Sequence, residues 1–79
     1  MDTEKIIKTK VADIFKLNYA DIVNDTGPEN VQGWDSFGQM NLVVVLEQEF
    51  SIVLEFEEIF RIIDTASLID LIKEKLNEN

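Results

Sequence analysis

The 79-residue chain has no cysteine and no histidine, a single proline and three glycines. Without cysteine there is no disulfide, no thiolate metal site and no thiol nucleophile, and the cytosol is the simplest compartment. Without histidine the commonest general base and imidazole ligand are missing, and a hydrolase of the Ser-His-Asp type is excluded. The scarcity of proline and glycine favours helices over a turn-rich β fold. Long apolar runs are also lacking. The longest, Leu42 to Leu46, is far too short to span a bilayer, and the opening MDTEKIIKTK mixes charges of both signs where a signal peptide would be apolar. A soluble cytoplasmic protein without membrane insertion is therefore expected. Basic residues are few and unevenly placed. Seven against sixteen acids give a net charge of −9, and Lys5, Lys8, Lys10 and Lys16 crowd the amino end. Between Asp21 and Asp70 the only base is Arg61, against eleven acids. Such a field repels nucleic acid and anionic lipid and steers basic protein surfaces into encounter.

Two further site classes fail on spacing. Asp21, Asn24, Asp25 and Gly27 loosely suggest a calcium loop, but Val23 stands where the second oxygen ligand should fall and no glutamate closes the loop. Neither a phosphate-binding glycine loop nor a dinucleotide fingerprint occurs. The chain is not expected to be an enzyme, nor to hold a metal.

What the sequence does contain is helical periodicity. From Thr3 to Lys16, Ile7, Val11, Ile14 and Phe15 form one stripe of an amphipathic helix, with Asp2 or Thr3 as cap. Residues 17–34 show no sustained period and hold the turn cluster Asn24-Asp25-Thr26-Gly27-Pro28. So long a connection is either functional or packed down through its own Ile22, Val31 and Trp34, and packing is the favoured reading. A second helix is predicted from about Ser36 to Phe50, with Leu42, Val43, Leu46 and Phe50 as its core stripe. Phe37, Met40 and Val44 fall on nearly the opposite side. That arrangement means either a helix buried all round or one with an exposed sticky stripe, and a domain this small has little material to bury both. After Ser51, Ile52 to Leu54 suit a strand or a helix; a short third helix over about Glu55 to Arg61 is expected. Asp64 or Thr65 should cap the last helix, with Leu68, Ile69, Leu71, Ile72 and Leu76 inward and Lys73 and Lys75 complementing the carboxyl-end dipole. Residues 77–79 are expected to fray. The fold class is thus all-α: one domain over 1–79, a small four-helix antiparallel bundle with a long loop between helices one and two and a short third helix.

The segment Gly33-Trp34-Asp35-Ser36-Phe37-Gly38-Gln39 begins the second helix. On local grounds Ser36 is its cap, because Ser36-Phe37-Gly38-Gln39 fits the S-x-x-Q capping box and Asp35 places a carboxylate where the macrodipole favours it. Taken with its surroundings, the segment resembles the prosthetic-group attachment motif of acyl carrier proteins and the related peptidyl carrier domains: Gly, any residue, Asp, Ser, then an apolar residue. A first helix about twenty residues upstream, a long loop, the helix-two run L-V-V-V-L-E-Q-E-F, a short third element and a final amphipathic helix extend that resemblance over nearly the whole chain.

The resemblance implies that Ser36 accepts 4′-phosphopantetheine from coenzyme A through a separate phosphopantetheinyl transferase, and that the arm carries acyl or aminoacyl groups as thioesters. It implies that Asp35 assists capping or transferase docking, and that Phe37, Met40, Val44 and Glu47 contact partner enzymes or the acyl chain. Partners would be loading ligases or synthases with basic docking surfaces, met by a monomer. Trp34 either packs under the loop or lines the path of the arm. The placement is physically sound, since a phosphodiester at a helix amino end meets unpaired N–H groups and the favourable dipole end. Carriers of fatty acid synthesis tend to bear carboxylates where this chain has Gly38 and Asn41, and Gln48 separates Glu47 from Glu49. The D-S-F-G run looks more like that of D-alanyl carriers of cell-wall alanylation and of stand-alone carriers in specialised lipid, polyketide or peptide pathways. The rival reading is an unmodified acidic helical module that binds a basic partner through helix two.

Overall fold

A computed structural model describes residues 2–77. Its elements are α1 (Thr3–Phe15), a single 3-10 turn at Tyr19–Asp21, α2 (Ser36–Phe50), α3 (Phe56–Ile59) and α4 (Thr65–Lys75), with no strand among the described residues. The expected helical bundle is therefore present. Glu78 and Asn79, two of the three residues expected to fray, lie outside the described residues.

The apolar stripes determine what packs on what. Ile7, Val11 and Phe15 of α1 meet Leu42, Val43, Leu46 and Phe50 of α2 and Leu68, Ile69, Leu71 and Ile72 of α4 in one core. At about 25 cal/mol per Å2 of apolar surface removed from water, this burial is the main favourable term in so small a domain. Asp2 caps α1 by accepting a hydrogen bond from Lys5 N at 3.1 Å. Two helices end on non-glycine residues in the left-handed region, α1 at Lys16 (φ 59°) and α2 at Ser51 (φ 54°). In both, the next residue closes the helix: Leu17 N donates to Ala12 O at 2.9 Å and Ile52 N to Glu47 O at 3.1 Å. Leu17 and Ile52 then pack against the core, the hydrophobic contact that accompanies this type of helix end.

The two-faced apolar pattern of α2 resolves into one buried and one open side. Leu42, Val43, Leu46 and Phe50 are buried, whereas Phe37 is 88 % exposed, Met40 49 % and Val44 46 %. The segment Ile52 to Leu54 is neither strand nor helix, and α3 is a single turn, shorter at both ends than expected over 55–61. Glu47 explains part of this shortening. Its carboxylate accepts from Leu54 N at 2.9 Å, which holds the link extended until Glu55 starts α3. Two ion pairs then tie α3 and its following turn to α4: Lys75 to Glu58 at 3.0 Å and Arg61 to Glu74 at 2.7 Å.

The long connection packs down, as expected, through buried Ile22 and Trp34 and partly buried Val31. Its middle is fixed to the start of α4. Thr26 O accepts from both Thr65 N (2.8 Å) and Thr65 Oγ1 (2.7 Å), and Asn24 O accepts from Ala66 N at 3.1 Å. Orphan donors at a helix start are thus satisfied by loop carbonyls.

Candidate functional site

The site lies where the loop enters α2. Gly33 has φ +94°, a conformation that disfavours any side chain, and turns the chain into Trp34. The Trp34 ring is buried and stacks on Phe15 at the end of α1, with centroids 4.7 Å apart and planes 13° from parallel. Of the two sequence readings for Trp34, packing under the loop is the one observed, although its edge also borders the hollow described below.

Asp35, not Ser36, is the cap of α2. Asp35 Oδ1 accepts from Gly38 N at 2.9 Å and Asp35 O from Gln39 N at 2.8 Å. The capping-box reading of Ser36 and Gln39 is therefore corrected. The aspartate one residue earlier is an equally good cap, and it leaves Ser36 as the first helical residue with its hydroxyl exposed. The N–H groups of Ser36 and Phe37 have no intramolecular partner among the described residues. A free hydroxyl and two free donors thus sit together at the positive end of a 15-residue helix.

Gly38 is held by close approach. A Cβ there would lie 2.8 Å from Phe15 Cε1 and against the carbonyl of Gly33. The Phe15–Trp34 stack and the Gly33 turn can reach α2 only because residue 38 has no side chain.

Gln39 reaches the other way. Its Oε1 accepts from Trp34 Nε1 at 2.7 Å, and its Nε2 donates to Ile59 O at 3.2 Å and Ile62 O at 3.3 Å. An indole N–H only donates and a carbonyl only accepts, so a single orientation of the amide satisfies all three partners. The local sequence concealed this role, because a glutamine three residues after a serine fits a capping box equally well.

Beside Ser36 opens an apolar hollow of about 510 Å3, bordered by Ser36, Met40, Gln39, Trp34, Phe56 and Phe60. Its outer wall is the edge-to-face pair Phe56–Phe60, centroids 4.9 Å apart, each ring more than two-thirds exposed. The sequence reading did not single these rings out; their i, i+4 spacing among the acids of α3 was the available signal. A larger hollow, about 750 Å3, lies across Met40 between the end of α1 and Phe37 and Val44, but Ser36 does not border it. Asp35 and Met40 border both hollows, Ser36 only the smaller, and Phe37 and Val44 only the larger. Glu47 lies further along α2, with its carboxylate engaged to Leu54.

Lys16 borders the larger hollow, and Arg61, the only base between Asp21 and Asp70, is committed. The Glu74 carboxylate holds the Arg61 guanidinium above its ordinary range, and Arg61 in turn keeps Glu74 below the usual carboxylate range. Glu58 is lowered first by the Glu55 N–H and then by Lys75. Among the described residues there is no cluster of acids, histidines or cysteines suited to a metal ion, and no helix is long and apolar enough to cross a membrane.

No family model matches the chain. Its structure, however, is similar to the solution NMR structure of a holo acyl carrier protein from Geobacter metallireducens, at 26 % identity and a TM-score of 0.84 over 98 % of this chain and 88 % of that one. With the helix order, the docked loop and the Gly-x-Asp-Ser entry to α2, that similarity shows that the chain has the helical bundle of an acyl carrier protein, the fold of a carrier and not of a catalyst.

Proposed function

We propose that this chain is a stand-alone carrier that takes 4′-phosphopantetheine from coenzyme A on Ser36 and presents acyl or aminoacyl groups, held as thioesters, to partner enzymes. The observation that carries the reading is the state of Ser36: an exposed hydroxyl at the first position of α2, beside two unpartnered N–H groups and an apolar hollow. These features fit the group. A phosphodiester on Ser36 Oγ would be met by the Ser36 and Phe37 N–H groups and the helix dipole, while Asp35 is turned to Gly38 N and holds the helix start. When bound, the arm supplies the thiol that a chain without cysteine lacks. That the similar structure is of a holo carrier supports the same assignment.

The exposed stripe of Phe37, Met40 and Val44 supplies the contact surface for the transferase and for loading enzymes, with Glu47 at its far end. Met40, flexible and polarisable, suits a succession of partners. A net charge of −9 with Arg61 already paired favours partners with basic rims. A specialised pathway is favoured over housekeeping fatty acid synthesis, because a carboxylate at position 38 would collide with Gly33 and Phe15. The first turn of α2 therefore offers partners no acid after Ser36.

Intact-mass measurement after incubation with coenzyme A and a broad-specificity phosphopantetheinyl transferase tests the reading. Wild type should gain one arm and Ser36→Ala none. No gain on the wild type, or a gain that survives Ser36→Ala, refutes it.

A further inference from the structure

Gln39 joins three segments that are separate in sequence: Trp34 of the loop, Ile59 at the end of α3 and Ile62 in the turn before α4. It stands at the inner end of the hollow that Ser36 borders. Behind it, Trp34 and Ile62 are buried, and beyond them the side chains of Leu42, Leu46, Leu68 and Leu71 are wholly excluded from solvent. An apolar chain entering from Ser36 toward that core must part all three hydrogen bonds. The indole N–H, the amide and two carbonyls would then lose their partners in part-buried surroundings, where water replaces them only in part. On the outer side there is no such barrier. Met40, Phe56 and Phe60 already expose apolar surface next to Ser36.

We propose that Gln39 is a positioning residue, a latch that shuts the inner end of the Ser36 hollow, so that an apolar cargo on Ser36 rests at the surface against Met40, Phe56 and Phe60 and is not taken between α2 and α4. The cargo half of this proposal rests on the carrier reading above; the latch itself does not. It follows that the carrier suits short acyl or aminoacyl groups, since any length beyond the hollow stays in water.

Two measurements test it. On the unmodified chain, hydrogen exchange of the single Trp34 indole is followed by NMR in wild type and in Gln39→Met, which keeps the side-chain volume but removes all three bonds. Exchange should quicken by about tenfold, the equivalent of one to two ordinary hydrogen bonds, while the Leu71 amide is unchanged; an unchanged indole overturns the latch. On the chain loaded with acetyl, hexanoyl or decanoyl groups, confirmed by intact mass, thermal midpoints and amide shifts are compared with those of Gln39→Ala. In wild type the midpoint should not rise with length, and shifts should stay at Met40, Phe56 and Phe60. In Gln39→Ala the midpoint should rise with length and Leu46 and Leu68 should shift. A wild-type midpoint that climbs with length, or a Gln39→Ala series indistinguishable from wild type, overturns the proposal. A chain that takes no arm refutes the carrier reading and with it the cargo half, while indole exchange still decides the latch.

Discussion

Gly38→Ala sets two physical effects against each other, and their magnitudes decide the sign. By helix propensity the substitution should stabilise α2 by up to about 1 kcal/mol. By packing it should not. The new methyl carbon would stand 2.8 Å from Phe15 Cε1, where ordinary contact begins at 3.4 Å, and against the Gly33 carbonyl, which is backbone and cannot rotate away. Phe15 cannot simply retreat, because its ring is stacked on Trp34, which is itself bonded to Gln39. Overpacking a fitted site costs about 1–3 kcal/mol, and loosening the aromatic stack adds about 0.5–1.5 kcal/mol. The net expectation is a loss of roughly 0.5–3.5 kcal/mol, and its middle value of about 2 kcal/mol lowers the thermal midpoint of a domain this size by about 8–16 °C. Thermal unfolding followed by far-ultraviolet circular dichroism measures it, with Asn41→Ala as the control: Asn41 is exposed on the same helix, so that change reads propensity without the collision. A Gly38→Ala midpoint equal to or above wild type would refute the close packing of α2 on the Gly33 turn, and with it the physical reason given for the missing acid.

Asp35→Ala removes the cap of α2 and should cost about 1 kcal/mol in urea unfolding, while Asp35→Asn, which can still accept from Gly38 N, should retain most of it; equal losses would assign the effect to charge alone. The Glu58 and Glu74 carboxyls are held below their ordinary value of 4.5 in the folded chain. A lowered folded value means that their contribution is complete above the unfolded value and is lost as pH falls through the folded one. The urea midpoint of wild type should therefore fall more steeply than that of Glu58→Gln below about pH 4.5, and parallel curves would contradict the Glu58–Lys75 link.

Helix positions were legible because the forces that set them are local. The apolar period of α2 and the polar residues before each helix fix its ends, and Ser36–Phe50 matches the sequence expectation at both limits. The exposed stripe of Phe37, Met40 and Val44 was legible as one of two options, and the small size of the domain favoured the one observed. The cap was misread because two adjacent residues, Asp35 and Ser36, are both competent, and only the loop geometry chooses between them. Gln39 and Gly38 were opaque for a different reason. Their roles depend on partners 20 or more residues away, such as Ile59 and Ile62, or on Phe15 across the bundle, and no local pattern encodes those contacts. The rings of Phe56 and Phe60 gained meaning only once α3 was seen to stand beside Ser36.

The fastening of the long loop at Thr26 also separates two regimes of length variation. The connection between α1 and α2 is pinned near its middle, at Asn24 and Thr26, by Ala66 and Thr65, leaving spans 16–23 and 27–35 on either side. Closing a somewhat longer flexible loop adds little free energy, because the cost grows only with the logarithm of its length. Residues inserted before Asn24 would bulge into solvent and leave Ser36 where it is. Residues inserted after Thr26 would push Gly33 out of its contact with Gly38 and unseat Trp34. One half of the loop can thus drift in length and composition among relatives, while the other is a ruler whose length is set by the distance from α4 to the start of α2.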